Sequence, residues 1–206
     1  MARQERAEQT RQRIVRAAAA EFAEHGYDGT SLHRIVRSAG VTMGALTFHF
    51  PSKSALADAV QEAGTTATRE VMLGAEAAPG LRGVLDEVLT LADAMRGTPS
   101  IRAAARLTRE GHADGHGWYD SWVPGLRAAL ERAWREERLD GGLTPVAAAS
   151  LLSHILLGVE AATTAPDALR TATGDGPEES LAQALKALGA LLTPAAPSAA
   201  AGPVQD

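Results

Sequence analysis

Two stretches of this sequence concentrate side chains that could bind a ligand or react. In the first, Trp118-Tyr119-Asp120-Ser121-Trp122, two of the chain's three tryptophans fall within five residues. Tyr119 and Trp122 lie three apart on a helical face that also carries Leu126, so they point inward together. A small-molecule pocket needs apolar walls with a few orienting polar groups, and Tyr119, Thr108 and Arg106 could supply those groups. The same stripe also fits a plain helical core. In the second stretch, His112 and His116 are four apart with Asp114 and Asp120 nearby, which admits a metal site and a metal-dependent hydrolase built on His112, His116 and Asp120. Glycines at 111, 115 and 117 work against a rigid helical presentation of both imidazoles, and spacing indicates no third ligand. A solvated loop is the better reading, and neither a metal nor a cofactor is expected.

A third stretch is organised for recognition rather than reaction. In Thr30 to Phe50, TSLHRIVRSAGVTMGALTFHF, the residues Leu32, Ile35, Val36 and Ala39 recur at helical spacing, with Thr30 or Ser31 placed to cap the start. Gly40 supplies the backbone freedom for a sharp turn. Thr42 can cap a second helix with apolar contacts from Ala45, Leu46 and Phe48 to Phe50, and Pro51 stops it. Two short helices about a glycine form a helix-turn-helix pattern, whose second helix enters the DNA major groove. Gly44 and Ala45 near its start would let backbone approach a base or phosphate. On these residues alone a plain helical corner fits equally well.

The absence of cysteine excludes disulfides, thiolate zinc sites and cysteine nucleophiles. No uninterrupted apolar run approaches a membrane span, and the charged start MARQERAEQTRQR is not followed by a signal-peptide core, so a cytoplasmic protein with no membrane association is expected. Net charge is −5, but residues 1–60 hold eight Arg or Lys against six Asp or Glu, so the excess there is +2 and the remaining 146 residues carry −7. Cationic surplus at the helix-turn-helix end suits phosphate contact. Arginine outnumbers lysine 18 to 2, which favours bidentate contacts and equally fits genomic base composition.

The elements that must position these groups read as helices throughout. From Thr10, the positions Ile14, Ala17, Ala18 and Phe22 trace one face up to Gly26, and this helix packs behind the helix-turn-helix with Tyr27 closing the small core. Ser52 can cap a connecting helix with Leu56, Ala59 and Val60 inward, running through Ala63 to a possible break at Gly64. After Pro79-Gly80, the residues Leu81, Val84, Leu85, Val88, Leu89, Ala92 and Met95 line a strongly periodic helix ended by residues 97–100. Residues 101–110 form a shorter helix, and the pattern resumes from Trp118 through Trp122, Leu126, Ala129, Leu130 and Ala133. Thr144-Pro145 opens a nearly all-apolar helix through Thr164, and residues 177–192 add a last one. Such apolar helices suit a dimer, with Gly158, Ala161 and Ala162 permitting close approach and His154 as an interface histidine. The expected fold is all-α: a helix-turn-helix DNA-binding domain over 1–60, a larger helical effector-binding and dimerisation domain over 61–192, and a disordered tail over 193–206.

The order RxxIVxAAxxxFxxxGYxxTSLxxIxxxAGVTxGALxFHFxSKxxL, carried here by Arg11 through Leu56, resembles the DNA-binding domain of TetR-family transcriptional repressors. The opening MARQxRAxQTR and the GALxFHF run further resemble the γ-butyrolactone receptor branch, which controls antibiotic production in streptomycetes. The pattern and this resemblance together imply DNA contacts from Arg3, Arg6, Arg11, Thr30, Ser31, Thr42, Met43, Gly44, Ala45, Thr47, Phe48, His49 and Lys53. Two positions depart from the branch, which usually has lysine at Met43 and tyrosine at Thr47, both touching the DNA backbone. Losing one cation should weaken phosphate binding by about one counterion. In that branch a tryptophan after a glycine-containing loop lines the ligand pocket, and Trp122 matches it.

The function this implies is a ligand-responsive repressor that binds a near-palindromic operator as a homodimer through helices 145–164 and 177–192. Its small, mostly apolar effector would sit among Leu85, Leu89, Arg106, Thr108, Trp118, Tyr119, Trp122, Leu126 and Ile155, and the helix after Ser52 would carry the change to the head. The effector is a γ-butyrolactone or, alternatively, a butenolide, a furan or an antibiotic. The other readings are the hydrolase above and a helical dimerisation protein that has lost DNA binding through Met43 and Thr47.

Overall fold

A helix starting near the N-terminus cannot continue unbroken past Gly26, whose dihedrals (φ 70°, ψ −179°) leave the helical region. The computed structural model describes residues 2–74, 79–112, 117–137, 143–164, 181, 183–187 and 190. Its first helix, α1 (Ala2–Gly29), carries this break and buries Ile14, Ala18 and Phe22 completely. Ser31 caps α2 (Leu32–Ala39) by accepting the Arg34 N–H at 3.2 Å, and Gly40 ends it in the left-handed region at φ 62°. Thr42 caps α3 (Met43–His49) by accepting from Ala45 N–H at 3.1 Å. Ser52 does the same for α4 (Lys53–Gly74), through Ala55 N–H at 3.0 Å.

Helix α4 runs unbroken for 22 residues, so the expected domain boundary at 60/61 falls inside it. The expected break at Gly64 is corrected. Gly64 is the point where α4 crosses α6 (Pro99–Arg109), and a Cβ there would run into the Ser100 carbonyl and the Ala104 side chain. Between them lies α5 (Gly80–Gly97), whose first turn is capped from afar: the Glu137 carboxylate accepts the Leu81 N–H at 2.8 Å. The aromatic stretch is not the start of a helix, as the periodicity suggests. Gly117–Ser121 forms a 3-10 turn, and α7 (Val123–Glu137) begins after it with Pro124, which has no N–H to donate, in its first turn. Thr144 caps α8 (Pro145–Thr164) through Ala147 N–H at 3.2 Å.

Two apolar clusters result. The head cluster gathers Ile14, Phe22, Ile35, Leu46, Phe50, Leu56 and Val60 with Ala103 and Leu107 of α6. The body cluster gathers residues of α5, α7 and α8 with Ile101, Ala104 and Ala105 of the same α6. By length and mean hydropathy (1.5 over Pro145–Ala162) α8 could cross a bilayer, which the sequence reading did not allow for. One face of it packs in the body core, where its Glu160 is buried in an ion pair, while the other face is exposed. Of helix 177–192, Leu181 and Leu185 are buried against the body core, while Leu188, Leu192 and the tail 193–206 lie outside the described residues.

Placing a branched side chain at the α4–α6 crossing tests this packing. Gly64→Val should cost about 1–3 kcal/mol by overpacking against a backbone carbonyl. Urea unfolding followed by circular dichroism measures it.

Candidate nucleic-acid interface and effector cluster

The caps on α2 and α3 fix a short helix whose outer side is open. Thr42, Gly44, Thr47 and Phe48 are exposed and Met43, Ala45 and His49 half-buried, while Leu46 anchors the opposite face in the head core. Phe48 is 81% exposed, which places a large apolar ring where a base methyl or sugar can meet it. A Cβ at Gly44 would touch only the Thr42 hydroxyl at 4.0 Å, so backbone there can be approached closely. The Thr47 hydroxyl donates back to Met43 or Gly44 carbonyl oxygen at 3.1 and 3.2 Å, and must leave that bond to donate to a phosphate.

Around this helix the cations are unevenly available. Ser31 and Arg6 are exposed, Arg11 lies over the Phe50 ring at 5.4 Å, and the Lys53 ammonium lies over the Tyr27 ring at 4.2 Å. The side chain of Arg3 lies outside the described residues. Thr30 is corrected as a DNA contact: it is 2% exposed and its hydroxyl donates to the Glu21 carbonyl at 3.0 Å inside the head.

The body brings together most of the residues expected around an effector. Trp118, Trp122 and Leu126 are buried in one cluster, against which Leu85, Leu89, Tyr119 and Ile155 pack. The Trp118 and Trp122 rings lie 5.2 Å apart, and Tyr119 is 6.4 Å from Trp122. Their polar atoms differ in availability. The Trp118 indole donates to Thr68 Oγ1 at 2.7 Å, and Thr68 donates to the Gly64 carbonyl at 2.8 Å. The Trp122 indole N–H is buried and, among the described residues, has no hydrogen-bond partner. Burial, with the Glu160 carboxylate nearby, raises the Tyr119 phenol above its ordinary pKa, so it stays a donor.

Two of the expected effector contacts are engaged elsewhere. Thr108 Oγ1 accepts from Gln61 Nε2 at 2.8 Å and from the Trp118 backbone N–H at 3.2 Å. Arg106 reaches the head, donating to the carbonyls of Ala23 and Glu24 at 3.1 and 2.9 Å and to Glu110 at 2.8 Å. Arg106 is therefore corrected from a ligand contact to a head–body tie. Sequence reasoning missed Gln61, Glu110 and Glu160. Gln61 is buried on the inward face of α4, and Glu160, 1% exposed, takes the Arg109 guanidinium through two bonds of 2.6 and 3.2 Å. A polar residue at an inward helical position was the available signal for both.

A family model described as bacterial regulatory proteins of the tetR family matches residues 14–60. The A-factor receptor protein of Streptomyces griseus is 35% identical over 162 residues, 78% of this chain and 57% of that protein. Among solved structures, a γ-butyrolactone receptor described as ArpA-like is 31% identical with a TM-score of 0.64, covering 75% of this chain and 76% of that one. The chain belongs to the TetR family. CprB from Streptomyces coelicolor, a TetR-family protein also solved in complex with its biological operator sequence, is 28% identical with a TM-score of 0.73 over 94% of this chain and 93% of its own. The chain spans less than two thirds of the length of the A-factor receptor. Membership of the TetR family sets the chain among bacterial regulators and not among enzymes, and the hydrolase reading falls with it. His112 is stacked on Tyr27 at 3.8 Å, no group of three candidate ligands occurs among the described residues, and Asp114 and His116 lie outside them.

Two measurements follow from this TetR geometry. Met43→Lys places a cation at the half-buried start of α3 and should tighten DNA binding while steepening the log–log salt dependence by about 0.9, read from titrations at several salt concentrations. The second concerns acid. Burial pushes the Glu110 carboxyl up, but bonds from Arg106 and the Tyr27 N–H, with the Arg106 and Arg109 charges, more than reverse this and hold it below the ordinary carboxylate range. A depressed carboxyl stabilises the fold above its unfolded pKa, and that contribution is lost as pH falls through the folded value. Glu110→Gln should therefore flatten the loss of stability below about pH 4.5, measured by denaturant unfolding across that range.

Proposed function

We propose that this protein is a transcriptional repressor that binds a near-palindromic operator as a homodimer and is released from it by a small, mostly apolar effector, a γ-butyrolactone or a close chemical relative. The observation that carries the reading is α3: a helix capped by Thr42, anchored by Leu46 and open along its outer side from Gly44 to Phe48. Ser31, Thr42, Met43, Gly44, Ala45, Thr47, Phe48 and His49 meet the major groove and its phosphates, with Arg3, Arg6, Arg11 and Lys53 neutralising the flanking backbone. The repressor acts in the cytoplasm, on DNA.

Dimerisation is supported by the outer side of α8. Val146 and Leu151 are 52% and 42% exposed there, Ala147, Ser150, His154, Gly158 and Ala161 are exposed beside them, and a Cβ at Gly158 would meet nothing. A twin helix covering this stripe, joined by residues 177–192, would bury it.

For the effector, Leu85, Leu89, Trp118, Tyr119, Trp122, Leu126 and Ile155 form the apolar bed, and the unpartnered Trp122 indole is a donor suited to a carbonyl oxygen such as a lactone carries. The relatives described as γ-butyrolactone receptors favour that class over an antibiotic. An effector lowers operator affinity only by binding the DNA-free conformation better, and α4, which runs from the head into the body cluster, carries the difference.

The test is a fluorescence-anisotropy titration against DNA from upstream of the protein's own gene, at two salt concentrations, with and without a γ-butyrolactone. Salt-sensitive, site-preferring binding that the lactone releases supports the proposal, whereas binding that ignores the lactone moves the effector to another chemical class. Trp122→Phe keeps the ring and removes the N–H, so the lactone concentration needed for release should rise about tenfold while operator affinity stays unchanged.

A further inference from the structure

The last turn of α6 carries charged side chains bonded in opposite directions. In an unbroken α1 the Ala23 carbonyl would accept the Tyr27 N–H. Gly26, at φ 70°, interrupts the ladder between them, and one ion pair from α6 meets both halves. Arg106 Nη1 donates to the carbonyls of Ala23 (3.1 Å) and Glu24 (2.9 Å), while Glu110 Oε2 accepts the Tyr27 N–H (2.8 Å). The pair is itself closed by Arg106 Nε donating to Glu110 Oε1 at 2.8 Å. The guanidinium thus rests on the negative end of α1, and the carboxylate rests on the first N–H beyond the break. A Cβ at residue 26 would also displace the Glu110 carboxylate and the Arg106 guanidinium from these positions. Tyr27 extends the contact, with the His112 ring stacked at 3.8 Å and the Lys53 ammonium at 4.2 Å. On its other side, the same turn reaches α8, where Arg109 holds the buried Glu160 carboxylate through two bonds.

We propose that Arg106 and Glu110 are positioning residues that lock the head at a fixed angle to the body and so set the half-site spacing the protein accepts in its operator. The Arg109–Glu160 pair ties the same turn to α8, so the lock refers each recognition helix to the dimer axis. The inference rests on the dimeric-repressor reading. Adding one base pair between half-sites moves them apart by about 3.4 Å and rotates them by about 35°. A head held at one angle must strain to follow, and a freed head follows at less cost.

The experiment compares wild type, Glu110→Ala and Arg106→Lys against the preferred operator, the same operator with one central base pair added or removed, and a single half-site duplex. Anisotropy reads the affinities, sedimentation the oligomeric state, and circular dichroism the fold. Glu110→Ala should keep half-site affinity within about twofold and lower the discrimination between preferred and altered spacing by about fivefold. Arg106→Lys, which keeps the charge and can reach a single carbonyl, should fall between. Unchanged discrimination in both folded, dimeric variants overturns the proposal, as does a loss of half-site affinity equal to the loss on the full operator. A wild-type protein that sediments as a monomer overturns the dimer reading beneath it, and the proposal with it.

Discussion

Helix α6 has no apolar face to spare, and the organisation of the molecule follows from that. Ala103 and Leu107 complete the core of the head, while Ile101, Ala104 and Ala105 complete the core of the body. A helix buried on both sides must be made of small residues where its neighbours come close, and the run of alanines at 103–105 meets this condition. The crossing with α4 is close enough to exclude any side chain at residue 64. Head and body therefore share a wall, and a ligand that shifts α6 disturbs the packing of both.

The polar groups along this wall are nearly all engaged, and the pattern of engagement gives the junction one geometry. Thr68 links the Trp118 indole to the backbone of α4, and Thr108 links Gln61 of α4 to the backbone at Trp118. Glu160 lies in the body's interior with its charge answered by Arg109. Only the carboxylate of this pair is buried, the Arg109 side chain being 42% exposed, and removing the arginine would deprive a buried charge of this partner. The pair joins the end of α6 to α8. Against that background two buried atoms stand open among the described residues, the Gln61 Oε1 acceptor and the Trp122 N–H donor.

Local signals in the sequence were enough for the helix-turn-helix: Ser31, Gly40 and Thr42 cap or turn where their chemistry says they should, and Ile35 and Leu46 are fully buried as the periodicity requires. The choice between Thr30 and Ser31 could not be made locally, because Thr30 is spent on a carbonyl nine residues away. Gly64 read as a break because a glycine needed for a close crossing looks the same in sequence as one that ends a helix. Arg106 read as a ligand contact for a similar reason: its head partners, more than 80 residues earlier, leave no periodic trace. The aromatic stretch read as a helix since i, i+3 spacing suits a 3-10 turn as well as an α-helix, and only Pro124 separates the two. The apolar bed around Trp122 was legible because burial has a period; the ties between elements were not, because pairing does not.

The placement of the tryptophans has an optical consequence. Trp118, Trp122 and Trp134 all lie in the body, and the head, down to the end of α3, contains none. Intrinsic emission excited at the red edge of the protein band therefore comes from the body alone, with the head dark. Trp122, 2% exposed and touching Trp118, sits in an apolar setting that water or a ligand carbonyl would change at once. An unlabelled sample thus carries a built-in reporter of the aromatic cluster, and a dye placed on the head reports the other end in a separate spectral window.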